Sequence, residues 1–276
     1  MKLGIVISTN ATSFSAVSHG ANLEETAKKC AALGYDGIEL AVRDPALVDS
    51  GRLKKILRAA GLEVPAIGTG QAFLDEGLSF IDRRKSVRQK AVSRIKAHIC
   101  FAAEFEAAVI IGLIRGRGHE NNPAEREFFA ESLAACAEFA VKKGVELFLE
   151  PLNRYETKLV NKIDEGIELI KKLKCGNLKL LIDTFHMNIE EPSIYGSIVK
   201  AKPYLGHVHC ADSNRRPPGC GHLDFRDITQ VLKGIGYDRY ISMEMLPWPT
   251  PDEAARMSIE YVKGVMNQKL MKGMTT

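Results

Sequence analysis

Four residues able to bind a divalent metal each end a short apolar segment in the second half of the chain. They are Glu150 in ELFLE, Asp183 in KLLID, His209 in GHVHC and Glu244 in YISME. They lie 33, 26 and 35 positions apart, about one strand plus one helix each time. The carboxyl ends of consecutive parallel strands meet at one rim of a barrel. Three carboxylates and one imidazole there would form an oxygen-rich metal site, and its glutamates could also transfer protons.

Alternation of side chains along a strand predicts which of these residues face the interior. In ELFLE, Phe148 shares a face with Glu150, and in HVH both His207 and His209 point the same way. An inward charge near the end of a strand is costly unless it is paired or binds a metal. For one such residue alone, a hydrogen-bonded core group or a solvated loop residue is the commoner explanation. Four of them at successive strand ends favour a functional site.

Short apolar segments alternate with longer amphipathic segments along the chain, and eight of each can be counted. This alternation predicts right-handed βαβ crossovers and a parallel sheet. Eight units favour closure, so the predicted fold is α/β, a (β/α)8 TIM barrel forming a single domain over residues 1–276. The pattern alone leaves an open doubly wound sheet as an alternative. The predicted strands are KLGIVIS, GIELA, EVPAIGT, AAVIIGL, VELFLE, LKLLID, LGHVHCA and YISMEM.

The composition is that of an ordinary globular protein, with 45% hydrophobic and 26% charged residues. The net charge is +4 and no long basic run is present, so we expect no nucleic acid partner. The apolar run in the first ten residues, MKLGIVISTN, is too short for a secretory signal. No segment has the apolar length of a membrane helix. These features predict a cytoplasmic protein that does not associate with a membrane.

Several sequence strings resemble the xylose isomerase-like sugar isomerase and epimerase barrels, in particular the D-tagatose 3-epimerase group. These strings are LEPLNRYET, IDTFHMNIEE, HVHCADSNR and MEML. Within that group, AVRDPALVD, AIGTGQAFL, VIIGLIRGRG and SNRRPPGCGHLDFR are most similar to the 5-keto-L-gluconate epimerase branch. The similarity extends through nearly the whole chain. It implies a TIM barrel that acts on a sugar or sugar acid as a homodimer or homotetramer.

The resemblance also implies roles for the four strand-end residues. Glu150, Asp183, His209 and Glu244 would bind one divalent cation, with Mn²⁺ as the first expectation and Co²⁺ or Mg²⁺ as alternatives. A cation can stabilise the enediolate charge that develops when a proton next to a carbonyl is removed. Glu150 and Glu244 would be the catalytic residues on opposite faces of the inverted carbon. One would remove a proton and the other would return one.

Substrate-binding residues are implied in the same way. His186 and Arg215 would bind the carbonyl or enediolate oxygens, and Glu156 would orient a terminal hydroxyl group of the substrate. The guanidinium of Arg215 offers several donors to a localised oxyanion. The alternative for Arg215 or Glu156 is a loop ion pair, and the alternative for His186 is a structural histidine.

Three further arginines follow the second and fourth predicted strands and would lie on the same rim. Arg43, Arg115 and Arg117 could bind a carboxylate, as a keto-sugar acid would require. A neutral ketose would not need them. Surface arginines without a ligand are the alternative, so the role of Arg115 in substrate binding is a hypothesis.

The predicted activity is epimerisation of a ketose or keto-sugar acid, such as 5-keto-L-gluconate, D-tagaturonate or a free ketohexose or ketopentose. Aldose–ketose isomerisation could use the same metal site and glutamates. A metal phosphodiesterase resembling endonuclease IV is an alternative of another class, although it would need further histidines at the early strand ends. His19, His98 and His119 are not placed there. A non-catalytic sugar-binding barrel is disfavoured because both Glu150 and Glu244 are present.

Overall fold

A closed barrel of eight parallel strands forms the centre of the molecule. The computed structural model describes residues 1–9, 12, 15–16, 18–19, 22–120 and 122–268. Each strand pairs with the next along the chain, and the last pairs with the first, Leu3 lying opposite Ile241. Closure confirms the predicted TIM barrel and excludes the open sheet. The strands are Lys2–Ser8 (β1), Gly37–Ala41 (β2), Ala66–Gly68 (β3), Ala108–Ile111 (β4), Leu147–Leu149 (β5), Leu178–Asp183 (β6), Leu205–Cys210 (β7) and Tyr240–Met243 (β8).

Helices connect the strands, and all eight predicted helices are present. Two short helices, Gly70–Leu74 and Thr184–Glu190, were not predicted from the sequence. A two-residue strand, Ser18–His19, additionally pairs with β1. None of the helices that the structure describes is long and apolar enough to cross a membrane. The helices are Leu23–Leu33 (α1), Ser50–Ala60 (α2), Gly70–Leu74 (α3), Lys85–Ala103 (α4), Pro123–Val141 (α5), Ile163–Leu173 (α6), Thr184–Glu190 (α7), Ile194–Ala201 (α8), Phe225–Gly234 (α9) and Pro251–Asn267 (α10).

Local sequence signals set the ends of the helices. Asn22 caps α1, its side-chain oxygen accepting hydrogen bonds from the backbone of Glu24 and Glu25. The helix ends at Gly34, whose φ of 87° is in the left-handed region that favours glycine. Because the next strand begins three residues later, the cap fixes where the chain re-enters the barrel.

The barrel interior contains a small apolar cluster beneath the carboxyl-terminal rim. Phe148 shares a strand face with Glu150, and Leu181 shares one with Asp183, so the cluster lies on the inner side of the barrel rather than on the helix-facing side. The ring of Phe148 also stacks on His207, with 5.5 Å between ring centroids. The cluster consists of Ala66, Ala108, Ile110, Phe148 and Leu181.

Candidate active site at the carboxyl-terminal rim

The four predicted ligands converge at the carboxyl ends of strands β5 to β8. One ligand atom from each lies within 4.8 Å of those of the other three, and all four side chains are buried. Nδ1 of His209 is 3.5 Å from Glu150, 3.9 Å from Asp183 and 3.8 Å from Glu244. These distances are longer than normal hydrogen bonds and leave room for an ion between the ligand atoms.

Three of the converging atoms are buried polar atoms without a hydrogen-bond partner among the described residues. They are Oε1 of Glu150, Oδ2 of Asp183 and Nδ1 of His209. A buried polar group without a partner is costly, and the cost is greater for charged groups. Carboxylate oxygens and one imidazole nitrogen suit Mn²⁺, Co²⁺ or Mg²⁺. The arrangement therefore fits the divalent cation that the sequence predicts.

Asp183 is held by the start of the helix that follows its strand. It ends β6 and caps α7, where its Oδ1 accepts hydrogen bonds from the backbone of Phe185 at 2.7 Å and of His186 at 3.2 Å. These two bonds use one carboxylate oxygen and orient the other toward the cluster. The cap therefore positions a ligand as well as starting the helix.

Glu150 needs a glycine on the neighbouring strand end. A Cβ atom placed on Gly112 would lie 2.6 Å from Oε2 of Glu150, closer than real Cβ contacts. The backbone N–H of Glu150 donates to the carbonyl of Ile111, which fixes the start of the loop after β5. Gly112 follows β4 directly, so the absence of a side chain there makes room for the carboxylate. We did not identify Gly112 as a site residue from the sequence.

Glu39 lies beneath the cluster and bonds two histidines at once. Its carboxylate is 2.8 Å from Nε2 of His207 and 2.9 Å from Nε2 of His209. A carboxylate only accepts, so both imidazoles carry a proton on Nε2. Nδ1 of His209 then faces the other ligands. Opposite charge and hydrogen bonds from the two histidines hold the pKa of Glu39 well below its usual value despite complete burial.

Three of the four candidate ligands, Asp183, His209 and Glu244, have raised pKa values. Burial raises the pKa of Asp183 and of Glu244, and the neighbouring Glu150 carboxylate adds to both rises. Burial alone would lower the pKa of His209, but the carboxylates of Glu39 and Glu244 raise it well above its usual value. A divalent cation bound by these atoms therefore has to displace protons.

His186 is oriented by Asn153 on the loop after β5. Nδ1 of His186 accepts from the backbone N–H of Asn153 at 3.4 Å and lies 2.8 Å from its side-chain nitrogen. Because a backbone N–H can only donate, the ring proton is on Nε2 of a neutral imidazole. Burial and the nearby positive charge of Arg215 lower the pKa of His186, which agrees with the neutral form. Its Nε2 is 3.9 Å from Glu150 and faces the pocket.

Arg215 connects two of the predicted site carboxylates. Its guanidinium donates to Glu156 at 2.8 Å and to Glu244 at 3.1 Å, and it lies 5.0 Å from the ring centroid of Phe185. The side chain of Arg215 is 14% exposed and that of Glu156 is 22% exposed, so this is not a solvated surface pair. The structure thus brings His186, Arg215 and Glu156 together around the same pocket.

The three further arginines do not line the pocket. Arg115 is completely buried, and its guanidinium donates only to backbone carbonyl groups, which contradicts its predicted role in substrate binding. Arg43 pairs with Glu76 at 3.8 Å, and Arg117 is exposed to solvent. Burial lowers the pKa of Arg115 to about 10. The carbonyl acceptors of Arg115 belong to Ile111, Gly112, Glu150, Leu159 and Val160.

The pocket is a cavity of about 480 Å³, counting the space open to solvent. Its charged wall comes from the ends of β5 to β8 and includes Glu150, Glu156, His186, Arg215 and Glu244. The opposite wall comes from β1 to β4 and is made mainly of small or apolar residues. This division suits a small molecule whose reacting part lies against the charged wall.

An eight-stranded barrel with such a cluster at its carboxyl-terminal rim defines a TIM-barrel protein with a candidate metal centre. The chain belongs to the xylose isomerase-like TIM barrel family, whose model matches residues 27–264. This confirms the predicted family. The similarity to the 5-keto-L-gluconate epimerase branch stays a prediction.

Named relatives of this chain are sugar epimerases. It is 34% identical to L-ribulose 3-epimerase of Mesorhizobium japonicum over 87% of this chain and 81% of that protein. It is 44% identical to D-psicose 3-epimerase of Ruminiclostridium cellulolyticum, but that match spans only 41% of this chain and 39% of the relative. A solved structure of L-ribulose 3-epimerase is 30% identical and has a TM-score of 0.84, covering 96% of this chain and 94% of the other.

Two further histidines do not extend the candidate metal centre. His98 is buried on α4, with its ring nitrogens 2.8 Å from the carbonyls of Arg94 and Val42. His119 lies on the connection between β4 and α5, where it pairs with Glu125 at 2.8 Å. Neither lies in a cluster that could hold a second ion among the described residues. No contact of these histidines favours the phosphodiesterase alternative.

Proposed function

We propose that this protein is a divalent-metal-dependent epimerase of a ketose or keto-sugar acid, and hence a carbohydrate isomerase. The observation that carries the proposal is the convergence of two glutamates, Glu150 and Glu244, with Asp183 and His209 in one buried cluster. The names of the L-ribulose and D-psicose 3-epimerase relatives support the reaction type. A free ketohexose or ketopentose and a keto-acid such as 5-keto-L-gluconate or D-tagaturonate are the candidate substrates.

Epimerisation requires one base and one acid on different sides of the carbon that inverts. Glu150 extends from the end of β5 and Glu244 from the end of β8, so the two carboxylates approach the pocket from different strands. One removes the proton next to the carbonyl and the other delivers a proton to the opposite face. Glu150, Asp183, His209 and Glu244 would hold the cation, which supplies electrostatic stabilisation of the developing negative charge.

The remaining polar groups bind and orient the sugar in this proposal. The Nε2–H of His186 and the guanidinium of Arg215 donate to the oxygen on which negative charge develops. Glu156 accepts from a terminal hydroxyl group next to the reacting carbons. Its ion pair with Arg215 keeps both groups in one arrangement before the sugar binds.

The identity of the ion, the oligomeric state and the cellular location are further parts of this proposal. Mn²⁺ is the expected ion, since all three candidate ions accept this ligand set and availability in the cell decides among them. We also expect a homodimer or homotetramer in the cytoplasm. Arg115 is left out of the proposed substrate site because its donors are occupied by carbonyl groups.

A panel of ketoses and keto-acids, incubated with the Mn²⁺-loaded protein in deuterated solvent, tests the proposal. We expect one sugar to give its epimer, with deuterium at the inverted carbon in the NMR spectrum. Movement of the carbonyl to the neighbouring carbon would show an aldose–ketose isomerase instead. Absence of carbon-bound exchange in every sugar would overturn both reactions.

Two variants test the roles of the glutamates. Glu150→Gln and Glu244→Gln should each lower kcat by roughly 100-fold or more, since each removes a group that transfers a proton. Glu63→Gln is the matched control, because Glu63 is exposed on the far side of the barrel and pairs with Lys2. Equal activity of the wild type and either site variant would contradict the two-glutamate mechanism.

A further inference from the structure

The wall of the pocket opposite the charged residues contains few polar side chains. Among its described residues, Val6, Ala41, Gly68, Ile110 and Leu113 offer no polar side-chain atom. Thr69 also lines this wall, but its hydroxyl donates to the carbonyl of Ile110 at 2.7 Å. A sugar held at the charged wall extends its remaining carbons toward this side, where its hydroxyl groups would lose water without gaining a partner. Glu39 lines this side as well, but its carboxylate accepts hydrogen bonds from His207 and His209. Gln71 differs from both, because its amide oxygen has no partner among the described residues.

Gln71 presents a free amide oxygen to the pocket. The residue is 1% exposed, and its Nε2 donates to the hydroxyl of Ser8 at 2.7 Å. Its Oε1 is buried and has no hydrogen-bond partner among the described residues. A buried amide oxygen without a donor costs free energy, so its retention in a pocket points to a ligand that supplies the donor.

The surroundings of Gln71 restrict what that donor can be. The bond to Ser8 fixes one end of the amide, so the other end is held in place rather than free to turn away. Gly68 and Gly70 flank Thr69 and line the same wall, which leaves the amide accessible from the pocket. An amide oxygen accepts hydrogen bonds, so it suits a neutral hydroxyl group.

We propose that Gln71 is a substrate-binding and specificity-determining residue whose Oε1 accepts a hydrogen bond from the hydroxyl at the end of the sugar distant from the reacting carbons. This proposal rests on the proposed epimerase function. The ligand class is a polyhydroxylated carbon chain, and the site selects sugars that keep this hydroxyl over their deoxy analogues. A deoxy sugar leaves Oε1 buried and unpaired, so it binds more weakly.

The test compares D-tagatose with 6-deoxy-D-tagatose, because the carbonyl fixes the direction in which each ketose lies. Isothermal titration of the Mn²⁺-loaded protein measures both affinities, and steady-state kinetics measures both values of kcat/KM. The wild type should prefer D-tagatose by roughly tenfold, the typical effect of one neutral hydrogen bond. Gln71→Met, which keeps the volume and removes the amide, should bring the ratio close to one.

Two further variants separate recognition from folding. Gln71→Glu retains an acceptor and should keep the preference for the hydroxylated sugar, even if Gln71→Met folds poorly. Gln230→Met makes the matched change at a half-buried glutamine on α9 that bonds the carbonyl of Gln268, and it should leave the ratio unchanged. Melting temperatures show whether each variant is folded.

The possible results distinguish an error in the role of Gln71 from an error in the proposed epimerase reaction. If both sugars bind the wild type equally, or if Gln71→Met weakens both equally, Gln71 does not recognise that hydroxyl and the proposal is wrong. Failure of D-tagatose to bind also overturns it. Tenfold discrimination in binding without turnover of any ketose would support the assignment of Gln71 and overturn the proposed reaction.

Discussion

Oε1 of Glu39 lies 2.9 Å from Nε2 of His209, on the side of the imidazole ring opposite the other candidate metal ligands. This single bond decides which nitrogen of His209 carries the proton. With Nε2–H committed to Glu39, Nδ1 faces the cluster and is the nitrogen that gives up its proton when a cation binds. Groups that orient a ligating histidine in this way affect metal affinity although they do not touch the metal.

Glu39→Gln should therefore weaken metal binding. The amide can accept from one histidine but presents N–H groups to the other, so either a donor is left unpaired or His209 changes its tautomer. We expect the dissociation constant for Mn²⁺, measured by titration calorimetry and electron paramagnetic resonance, to rise about 10- to 100-fold. The exposed Glu63→Gln variant should bind Mn²⁺ like the wild type. Unchanged affinity in Glu39→Gln would show that Glu39 does not orient the ligand.

Gly112→Ala should lower activity more than it lowers stability. The new Cβ would lie 2.6 Å from Oε2 of Glu150, and the carboxylate has to move. A displacement of about 1 Å at a catalytic group can reduce the rate about 100-fold, and we expect a loss of that order in kcat. Gly176→Ala is the matched control, since an added Cβ there meets nothing within 4 Å. Similar kinetics in both variants would show that Glu150 does not need this space.

The sequence predicted the barrel and the metal cluster because both depend on spacing. Asp183 is the last residue of β6 and His209 the last but one of β7, and consecutive parallel strands bring such positions together whatever the loops do. Contacts made by loops and short turns were not predictable in this way. Gly112 is revealed only by its distance from Glu150, and Gln71 only by its bond to Ser8. Glu39 lies near the end of β2, but its two histidine partners are 168 and 170 positions away in the sequence, so no local pattern links the three residues.

Arg115 shows most clearly why local sequence was insufficient. It follows β4 and was expected on the rim, but Leu113–Arg115 forms a 3₁₀ turn and the side chain is buried among carbonyl groups. Whether an arginine after a strand faces the pocket or the loops depends on that turn and on the path of residues 159 and 160. Neither can be read from the residues next to Arg115.

Arg115→Met should act on stability rather than on substrate choice. The substitution removes the donors of several buried carbonyl groups, including those of Ile111 and Leu159. We expect the free energy of unfolding to fall by about 3–5 kcal/mol in urea titrations. Arg117→Met, at an exposed position, should change it by less than about 0.5 kcal/mol. If kcat/KM fell selectively for keto-acids and spared neutral ketoses, Arg115 would have the carboxylate-binding role after all.

Metal binding should stabilise the protein more at high pH than at low pH. The pKa values of Asp183, His209 and Glu244 are all raised in the folded protein, so these groups retain protons in a range where the unfolded chain has begun to lose them. Without metal, the stabilisation that goes with these protons is present at low pH and is lost as the pH rises through the raised pKa values. A divalent cation competes with the same protons and therefore binds more tightly as the pH rises.

The difference in melting temperature between Mn²⁺-loaded and EDTA-treated protein should consequently grow between about pH 6 and about pH 8. Titration calorimetry in buffers of different ionisation enthalpy should also show net release of protons on Mn²⁺ binding. His119→Gln is a useful control, because His119 lies outside the cluster and should not change either result. If the difference in melting temperature were constant across this pH range, or larger at the lower pH, it would contradict the raised pKa values of Asp183, His209 and Glu244.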